Sequence, residues 1–247
     1  MDANTAPSQI EILNLLKLVR PWTMTGSSKV RIGNDYDGGY VLPAQVLHCD
    51  AIVSVGVGPD VSFDLVLAER GAKVLQYDHT VEGLPQQHPN FIFHKRGWGA
   101  RTEGDFLSFD DIFAHLQALK PKRAMLKFDI EGGEYEVLEA IKPEHLAFFD
   151  VVACEFHGFE KLHDRRFYEG AKRAFEKLSA QHVPVHLHAN NALGVVLVQG
   201  IPIPLLLEVA YLRHDLDHFP SFSHDPIPGP FDRPNIPGRV DLCINPF

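Results

Sequence analysis

Residues 51–80, AIVSVGVGPDVSFDLVLAERGAKVLQYDHT, constrain the fold more than any other stretch of the chain. A β-branched apolar run ends at Gly56, and a glycine turn leads into a helix over residues 63–70 that Ser62 is placed to cap. A second apolar run then ends on Asp78. This order predicts a βαβ unit, in which the acid after the second strand can accept hydrogen bonds from a ribose.

The turn after the first strand has two glycines, Gly56 and Gly58, where a dinucleotide-binding turn has three. Val61 stands at the third position. Because the third glycine belongs to a turn that holds a pyrophosphate, its absence favours a nucleoside without one, S-adenosylmethionine above all. An ordinary βαβ turn that binds nothing is the alternative, since two glycines alone are a weak motif.

The size and charge of the chain limit its class and its partners. Its 247 residues, 45% apolar and 22% charged, suit a single α/β domain. The net charge of −9 disfavours a nucleic-acid partner, which needs a cationic surface. No apolar run reaches the roughly 20 residues of a membrane helix, and the start lacks the pattern of a signal peptide. We therefore expect a cytoplasmic protein without membrane contact, of undetermined oligomeric state.

The predicted domain has three parts: an N-terminal helix or lid in residues 1–26, a core in residues 27–212, and a proline-rich tail in residues 213–247 that wraps the core. Within the core, strands alternate with helices, which predicts a mostly parallel sheet covered on both faces. Two late strands without a helix between them, at residues 193–198 and 205–212, predict a closing pair at an antiparallel edge. Asp105 is predicted to cap a helix over residues 106–119.

Polar residues collect at the predicted carboxyl ends of the strands, where an open parallel sheet binds its ligands. These strand-end residues are Gly56, Asp78, Gly97, Asp129, Glu155 and Asn190. We expect Asp129, Glu155 and His157 to lie together and either to orient a hydroxyl nucleophile or to hold a divalent cation such as magnesium. A buried ion pair between Lys127 and Glu155 with a purely structural role is the alternative.

Five segments in the same order resemble class I S-adenosylmethionine-dependent methyltransferases of the FkbM type. They are RIGNDYDGGYVL (31–42), SVGVGPDVSFD (54–64), YDHT (77–80), LKFDIEGGEYEVL (126–138) and CEFHG (154–158). The resemblance implies a Rossmann-like, doubly wound sheet of seven strands, mostly parallel with an antiparallel last strand and with helices on both faces.

The resemblance also implies which residues bind the cofactor and what they act on. Cofactor contacts would come from Gly56, Gly58, Ser62, Phe63 and Asp78, with Gly97 and Trp98 near the adenine and Asp129 near the sulfonium. The acceptor would be a hydroxyl of a sugar, a glycan or a small natural product. We expect His157 to act as the base, with Asp129 and Glu155 positioning the acceptor or a metal.

Two other functions stay open at this stage. A nicotinamide-dependent oxidoreductase would use the same sheet, but it would require the glycine that Val61 replaces. A non-catalytic nucleoside-binding module would keep the fold and lack the chemistry.

Overall fold

The computed structural model describes residues 5–244. The first four residues of the predicted lid and the last three of the predicted tail lie outside this range. The strands are β1 (Lys29–Ile32), β2 (Tyr40–Pro43), β3 (Ala51–Val55), β4 (Lys73–Tyr77), β5 (Phe91–His94), β6 (Gly97–Trp98), β7 (Phe106–Leu107), β8 (Ala124–Phe128), β9 (Phe149–Phe156), β10 (His182–Ala189), β11 (Val195–Val198), β12 (Ile201–Pro204) and β13 (Leu207–Arg213). The helices are α1 (Gln9–Leu16), α2 (Ser62–Glu69), α3 (Phe109–Ala118), α4 (Glu134–Ala140), α5 (Pro143–Leu146) and α6 (Arg165–Ser179).

Seven strands form one sheet in the order β10-β13-β9-β8-β3-β4-β5. The neighbours from β9 to β5 are parallel, whereas β13 runs antiparallel to both β9 and β10. The predicted seven-stranded, mostly parallel sheet with an antiparallel last strand is therefore confirmed. Its parallel strands all direct their carboxyl ends to one edge.

Both faces of the sheet are covered, as the apolar strands predict. Ala51, Val53 and Val55 of β3 pack in one buried cluster with residues of α1, α3, α4 and α6. The intervening Ile52 packs in a second cluster with residues of α2, β1 and β2. This alternation is the period-2 pattern of a strand with apolar layers on both sides.

Two predicted helix starts are wrong. Helix α2 begins at Ser62, with Val61 at the N-cap and no side-chain hydrogen bond from that position. Helix α3 begins at Phe109, where the Ser108 hydroxyl accepts from the Asp111 amide. Asp105 does not cap it, because the two residues that follow Asp105 form the short strand β7 against β6.

The predicted closing pair of strands is also wrong. Strand β11 pairs with β12 in a separate hairpin, while β13 enters the main sheet between β9 and β10. Gln199 and Gly200 join β11 to β12 with φ of 51° and 79°. Two consecutive positive φ values are the geometry of a tight two-residue hairpin, which pairs these strands with each other.

Several residues of the tail contact the core, whereas its extended, wrapping form stays a prediction. Phe222 packs against Trp22 with ring centroids 4.5 Å apart and the rings tilted by 41°, and Asn235 Nδ2 donates to Glu208 Oε1 at 2.5 Å. His188 of β10 places its Nε2 3.1 Å from the Asp241 carboxylate of the tail. Among residues 5–244, no helix is long and apolar enough to cross a membrane.

The contact of His188 with the tail should make the stability of the fold depend on pH. Burial lowers the pKa of His188, but the carboxylates of Asp241 and Glu208 raise it to about 10. Unfolded histidine has a pKa of roughly 6.5, so the folded chain holds this proton more tightly. The resulting stabilisation is complete below about pH 6.5 and is lost as the pH rises towards 10.

We expect the free energy of unfolding to fall less steeply with pH in a His188→Gln variant than in the unmodified protein. The gap between the two proteins should shrink by about 2 kcal/mol from about pH 6 to about pH 8.5. Urea unfolding at both pH values measures this gap, and other titrating groups cancel because both proteins share them. A gap that is independent of pH would contradict the assignment.

Candidate functional site

A cleft of about 570 Å³ opens at the carboxyl ends of β3, β4 and β8. Its volume lies within the usual range of small-molecule sites, roughly 300 to 1,000 Å³. Seven of the eight residues predicted to bind a cofactor line it: Gly56, Gly58, Phe63, Asp78, Gly97, Trp98 and Asp129. The exception is Ser62, whose hydroxyl accepts a hydrogen bond from the Asn34 amide at 3.2 Å.

The glycine turn is built against the end of β8. Gly56 has a φ of +76°, and a Cβ placed on it would stand 1.6 Å from the Asp129 carbonyl oxygen. Lys127 Nζ donates to the Gly56 carbonyl oxygen at 2.7 Å. Any residue with a side chain at position 56 would therefore separate β3 from β8 at the floor of the cleft. The alternative ion pair between Lys127 and Glu155 is not among those of the described residues.

Asp78 fixes the shape of this turn. Its Oδ2 accepts from the Val57 and Gly58 amides at 3.0 and 2.8 Å, and its Oδ1 accepts from the amide and hydroxyl of Thr80. Burial raises its pKa, but these hydrogen bonds outweigh burial and lower the net value. All four lone-pair positions are in use, so a ribose would have to displace one of these donors. The ribose contact of Asp78 stays a prediction.

At the start of α2, a carboxylate accepts from a backbone amide that a dinucleotide site would leave free for the pyrophosphate. Asp60 Oδ1 accepts from the Ser62 amide at 2.6 Å. Val61, at the position of the third glycine, is buried. A carboxylate at the helix N-terminus occupies the place that a pyrophosphate would take and would repel it.

The hairpin of β1 and β2 closes the opposite wall of the cleft. Asp37, Gly38 and Tyr40 line the cleft, and Asn34 Nδ2 donates to Asp60 Oδ2 at 2.5 Å. The site residues predicted from the sequence include none of this segment. The signal that could have found it is the resemblance, because residues 31–42 are one of the five segments that carry it.

Aromatic residues form the apolar end of the cleft. Trp98 is buried, with ring centroids 4.8 Å from Phe109 and 5.2 Å from Phe128. A Cβ on Gly97 would stand 2.8 Å from the rings of His79 and Phe106, so only glycine fits there without a shift. This wall is suited to a flat, uncharged ring such as a nucleobase.

Beside the cleft, four carboxylates surround His157. Its Nδ1 lies 3.0 Å from Oε1 of the fully buried Glu134, and its Nε2 lies 3.4 Å from Glu155 Oε1 and Glu131 Oε2. Asp129 Oδ1 is 3.9 Å from the same Nε2. The three residues predicted to be catalytic, Asp129, Glu155 and His157, are thus brought together.

The charges in this group shift one another's pKa values. Burial lowers the pKa of His157, but Glu134, Glu155 and Asp129 raise it to about 9. Burial raises the pKa of Asp129 to about 6, although the positive charges of Lys127 and His157 lower it. Burial and the nearby carboxylate of Asp129 raise the pKa of Glu155 well above its usual range. At neutral pH His157 therefore carries a proton, which it must lose before it can act as a base. The base role stays a prediction.

A larger cavity of about 1080 Å³ lies at the β10 edge, between residues 20–29 and the tail. None of the predicted site residues lines it, and it does not meet the carboxyl ends of the parallel strands. The cleft, rather than this cavity, is therefore the candidate functional site.

No protein-family model matches the sequence, and no curated protein matches it. Two solved structures are similar to part of the fold. The multifunctional RNA-capping protein VP4 of bluetongue virus is 16% identical over 57% of this chain, which spans 24% of the viral protein, at a TM-score of 0.34. PH1948 of Pyrococcus horikoshii, named as an RNA methyltransferase, is 12% identical over 66% of this chain and 74% of its own, at a TM-score of 0.32.

Similarities of this size carry no argument about what this chain binds or does. The resemblance to FkbM-type methyltransferases stays a prediction.

The floor of the cleft gives a prediction with a built-in control. Gly56→Ala should lower the free energy of unfolding by about 3 kcal/mol or more, because its Cβ meets backbone that cannot rotate away. Gly58→Ala should cost only about 1 kcal/mol, since its positive φ is unfavourable but its Cβ meets nothing within 4 Å. Chemical denaturation of both variants measures the difference. Equal losses would show that the close approach of β3 and β8 is not the constraint.

Proposed function

We propose that the protein is an S-adenosylmethionine-dependent methyltransferase on a Rossmann-like fold. One observation carries the proposal. Seven residues predicted from the sequence to hold an adenosyl cofactor line a single cleft at the carboxyl ends of three parallel strands. The parallel strands bring these residues to one edge of the sheet, and an open cleft at that edge is where a sheet of this kind binds its ligand.

The shape of the cleft fits such a cofactor. Gly56 and Gly58 would face the ribose, Asp78 would contact it only by exchanging one of its present donors, and Trp98 would stack near the adenine. The space around Gly58 is open where a Cβ would stand, so its backbone can approach a ligand. Asp129 would face the positive sulfur, and a carboxylate at that place favours a cation over a neutral group.

The charge at the start of α2 separates this proposal from a nicotinamide-dependent oxidoreductase. Asp60 occupies the helix amide with its own carboxylate, so a dinucleotide pyrophosphate would meet negative charge where it needs donors. A cofactor whose only formal charges are an amino acid group and a sulfonium avoids this repulsion.

The reaction we propose is methylation of a hydroxyl oxygen. S-adenosylmethionine supplies a methyl group on a positively charged sulfur. The acceptor oxygen forms the new bond to carbon, the old bond breaks towards sulfur, and the hydroxyl proton passes to a base. The residues of this chain hold the two groups in line, exclude water and accept the proton, with Asp129, Glu155 and His157 beside the acceptor.

The acid cluster also limits the proposed acceptor. Asp37, Asp129 and Glu131 line the cleft and the buried Glu155 lies beside Asp129, so these carboxylates would repel a phosphate backbone. We therefore propose a neutral, hydroxyl-bearing acceptor, such as a sugar, a glycan or a small natural product, rather than a nucleic acid. A nucleoside-binding module without catalysis is the second candidate, because the cleft alone does not require turnover.

Cofactor class can be tested by thermal unfolding of the full chain. With S-adenosylmethionine or S-adenosylhomocysteine at 100 times its Kd, we expect the Tm to rise by about 5 to 10 °C. NAD at the same concentration should leave the Tm unchanged, because Asp60 repels its pyrophosphate. A rise with NAD alone would favour the oxidoreductase, and no rise with any of the three would exclude an adenosyl site. Binding without methylation of any hydroxylated acceptor would favour the non-catalytic module.

The sulfonium assignment can be tested separately with Asp129→Asn. This variant keeps the size of the side chain and removes its charge, so it should weaken binding of S-adenosylmethionine about tenfold. Binding of S-adenosylhomocysteine, whose sulfur is neutral, should change much less. Calorimetry with both ligands, in the presence of a chelator, gives the ratio. Equal weakening of both ligands would place Asp129 away from the sulfur.

A further inference from the structure

The side chains of Asp129, Glu155 and His157 enclose a small space beside the cleft. One donor atom from each lies within 4.8 Å of the other two. His157 Nε2 is 3.4 Å from Glu155 Oε1 and 3.9 Å from Asp129 Oδ1. Adjacent ligands of an octahedral ion with bonds of about 2.1 Å lie roughly 3.0 Å apart, so small side-chain rotations close the set.

The polar atoms in this space lie within ion-pair distance of one another but make few hydrogen bonds among themselves. Among the hydrogen bonds of the described residues, His157 Nε2 makes none, although three carboxylates lie within 3.9 Å of it. Asp129 Oδ1 is buried and has no hydrogen-bond partner in the same part of the chain. Glu155 is over nine-tenths buried, and its Oε2 is held by Asn190 while its Oε1 faces His157.

Glu134 supplies an independent sign of metal binding. This fully buried carboxylate lies 3.0 Å from His157 Nδ1 and also accepts from the amides of Gly132 and Ile130. A carboxylate on one ring nitrogen fixes the tautomer of a histidine and turns its other nitrogen towards a metal, an arrangement typical of metal-binding histidines. His157 Nε2 is the nitrogen so exposed to Asp129 and Glu155.

A second acidic group, made by Asp37, Glu155 and Glu208, lies close by. Glu208 is less suited to a cation, because its Oε1 accepts from Asn235 and its Oε2 lies 3.1 Å from His188 Nδ1. Both of its oxygens are therefore engaged with the tail and β10. Asp129 Oδ1, by contrast, accepts no hydrogen bond from the described residues.

We propose that Asp129, Glu155 and His157 bind one divalent cation of the first transition row, with Glu134 as the positioning residue for His157. One imidazole and two carboxylates are a mixed nitrogen and oxygen set, which suits manganese or iron better than magnesium. Three protein ligands leave positions open for water or for an acceptor oxygen. The idea that the cation holds the acceptor hydroxyl rests on the proposed function, whereas the cation site itself does not.

The test is calorimetric titration of Mn²⁺ into the full chain after treatment with a chelator and buffer exchange. We expect one ion per chain, and Glu155→Gln should weaken binding at least tenfold. Glu136→Gln removes the same charge from an exposed position of α4 and should leave the affinity unchanged. Mg²⁺ in a parallel titration should bind more weakly than Mn²⁺.

Pulsed electron paramagnetic resonance of bound Mn²⁺ gives a readout that does not depend on any variant. The unmodified protein should show modulation from one directly bound imidazole nitrogen. No binding, equal weakening by Glu155→Gln and Glu136→Gln, or bound Mn²⁺ without a nitrogen signal would each overturn the site. A protein that binds S-adenosylmethionine but fails to bind Mn²⁺ would overturn the cation site alone. A protein that binds Mn²⁺ but no adenosyl ligand would overturn the proposed function alone.

Discussion

The close contact between Gly56 and the end of β8 is the constraint on which the candidate site depends. Strands β3 and β8 pair in parallel, so their carboxyl ends arrive at the same edge, and the absent side chain of Gly56 lets the two chains meet there. Lys127 Nζ stabilises this contact by donating a hydrogen bond to the Gly56 carbonyl oxygen. The glycine turn and Asp129 thereby line one cleft, although Gly56 and Asp129 are 73 positions apart in the sequence.

Charge then divides this edge into two regions with different preferences. Around the glycine turn, donors of the chain occupy both oxygens of the Asp78 carboxylate, so this side chain offers no open acceptor. Around His157, by contrast, four carboxylates meet one imidazole and leave acceptors open. A buried excess of negative charge is costly unless a proton or a cation offsets it. The first region is suited to a neutral nucleoside and the second to a positively charged or hydroxyl-bearing partner.

The sequence predicts the parts of this arrangement that follow from local periodicity. Buried parallel strands are continuous apolar runs, so β3, β4, β8 and β9 and the residues at their ends could be placed in advance. Strand pairing that depends on competition between distant segments could not be predicted in this way. Strand β13 joins the sheet because the Gln199–Gly200 turn commits β11 to β12, a choice that apolarity alone does not encode. The same limit explains why Asp105 was an incorrect cap, since β7 forms only against β6.

The roles of individual polar residues were harder to predict than their positions. Asp78 stands where predicted, yet its oxygens organise the glycine turn, because two amides and Thr80 are within reach once the turn folds. Ser62 was expected at the cofactor and instead accepts from Asn34, which draws the hairpin over the cleft. Such roles depend on which donors the folded chain brings near, and sequence spacing does not report this.

The tail extends the same reasoning to the side of the site where the proposed acceptor would bind. Asn235 donates both to Asp37 of the hairpin and to Glu208 of β13, so it joins a cleft wall to the sheet through one side chain. Glu208 of β13 lies opposite Glu155 of β9 in the strand register. The tail, through Asn235, therefore influences which of these carboxylates already has a hydrogen-bond donor. Selectivity for an acceptor would then reside in a proline-rich segment without a motif. Under the proposed function, this would explain why the sequence predicts residues for the cofactor but none for the choice of acceptor.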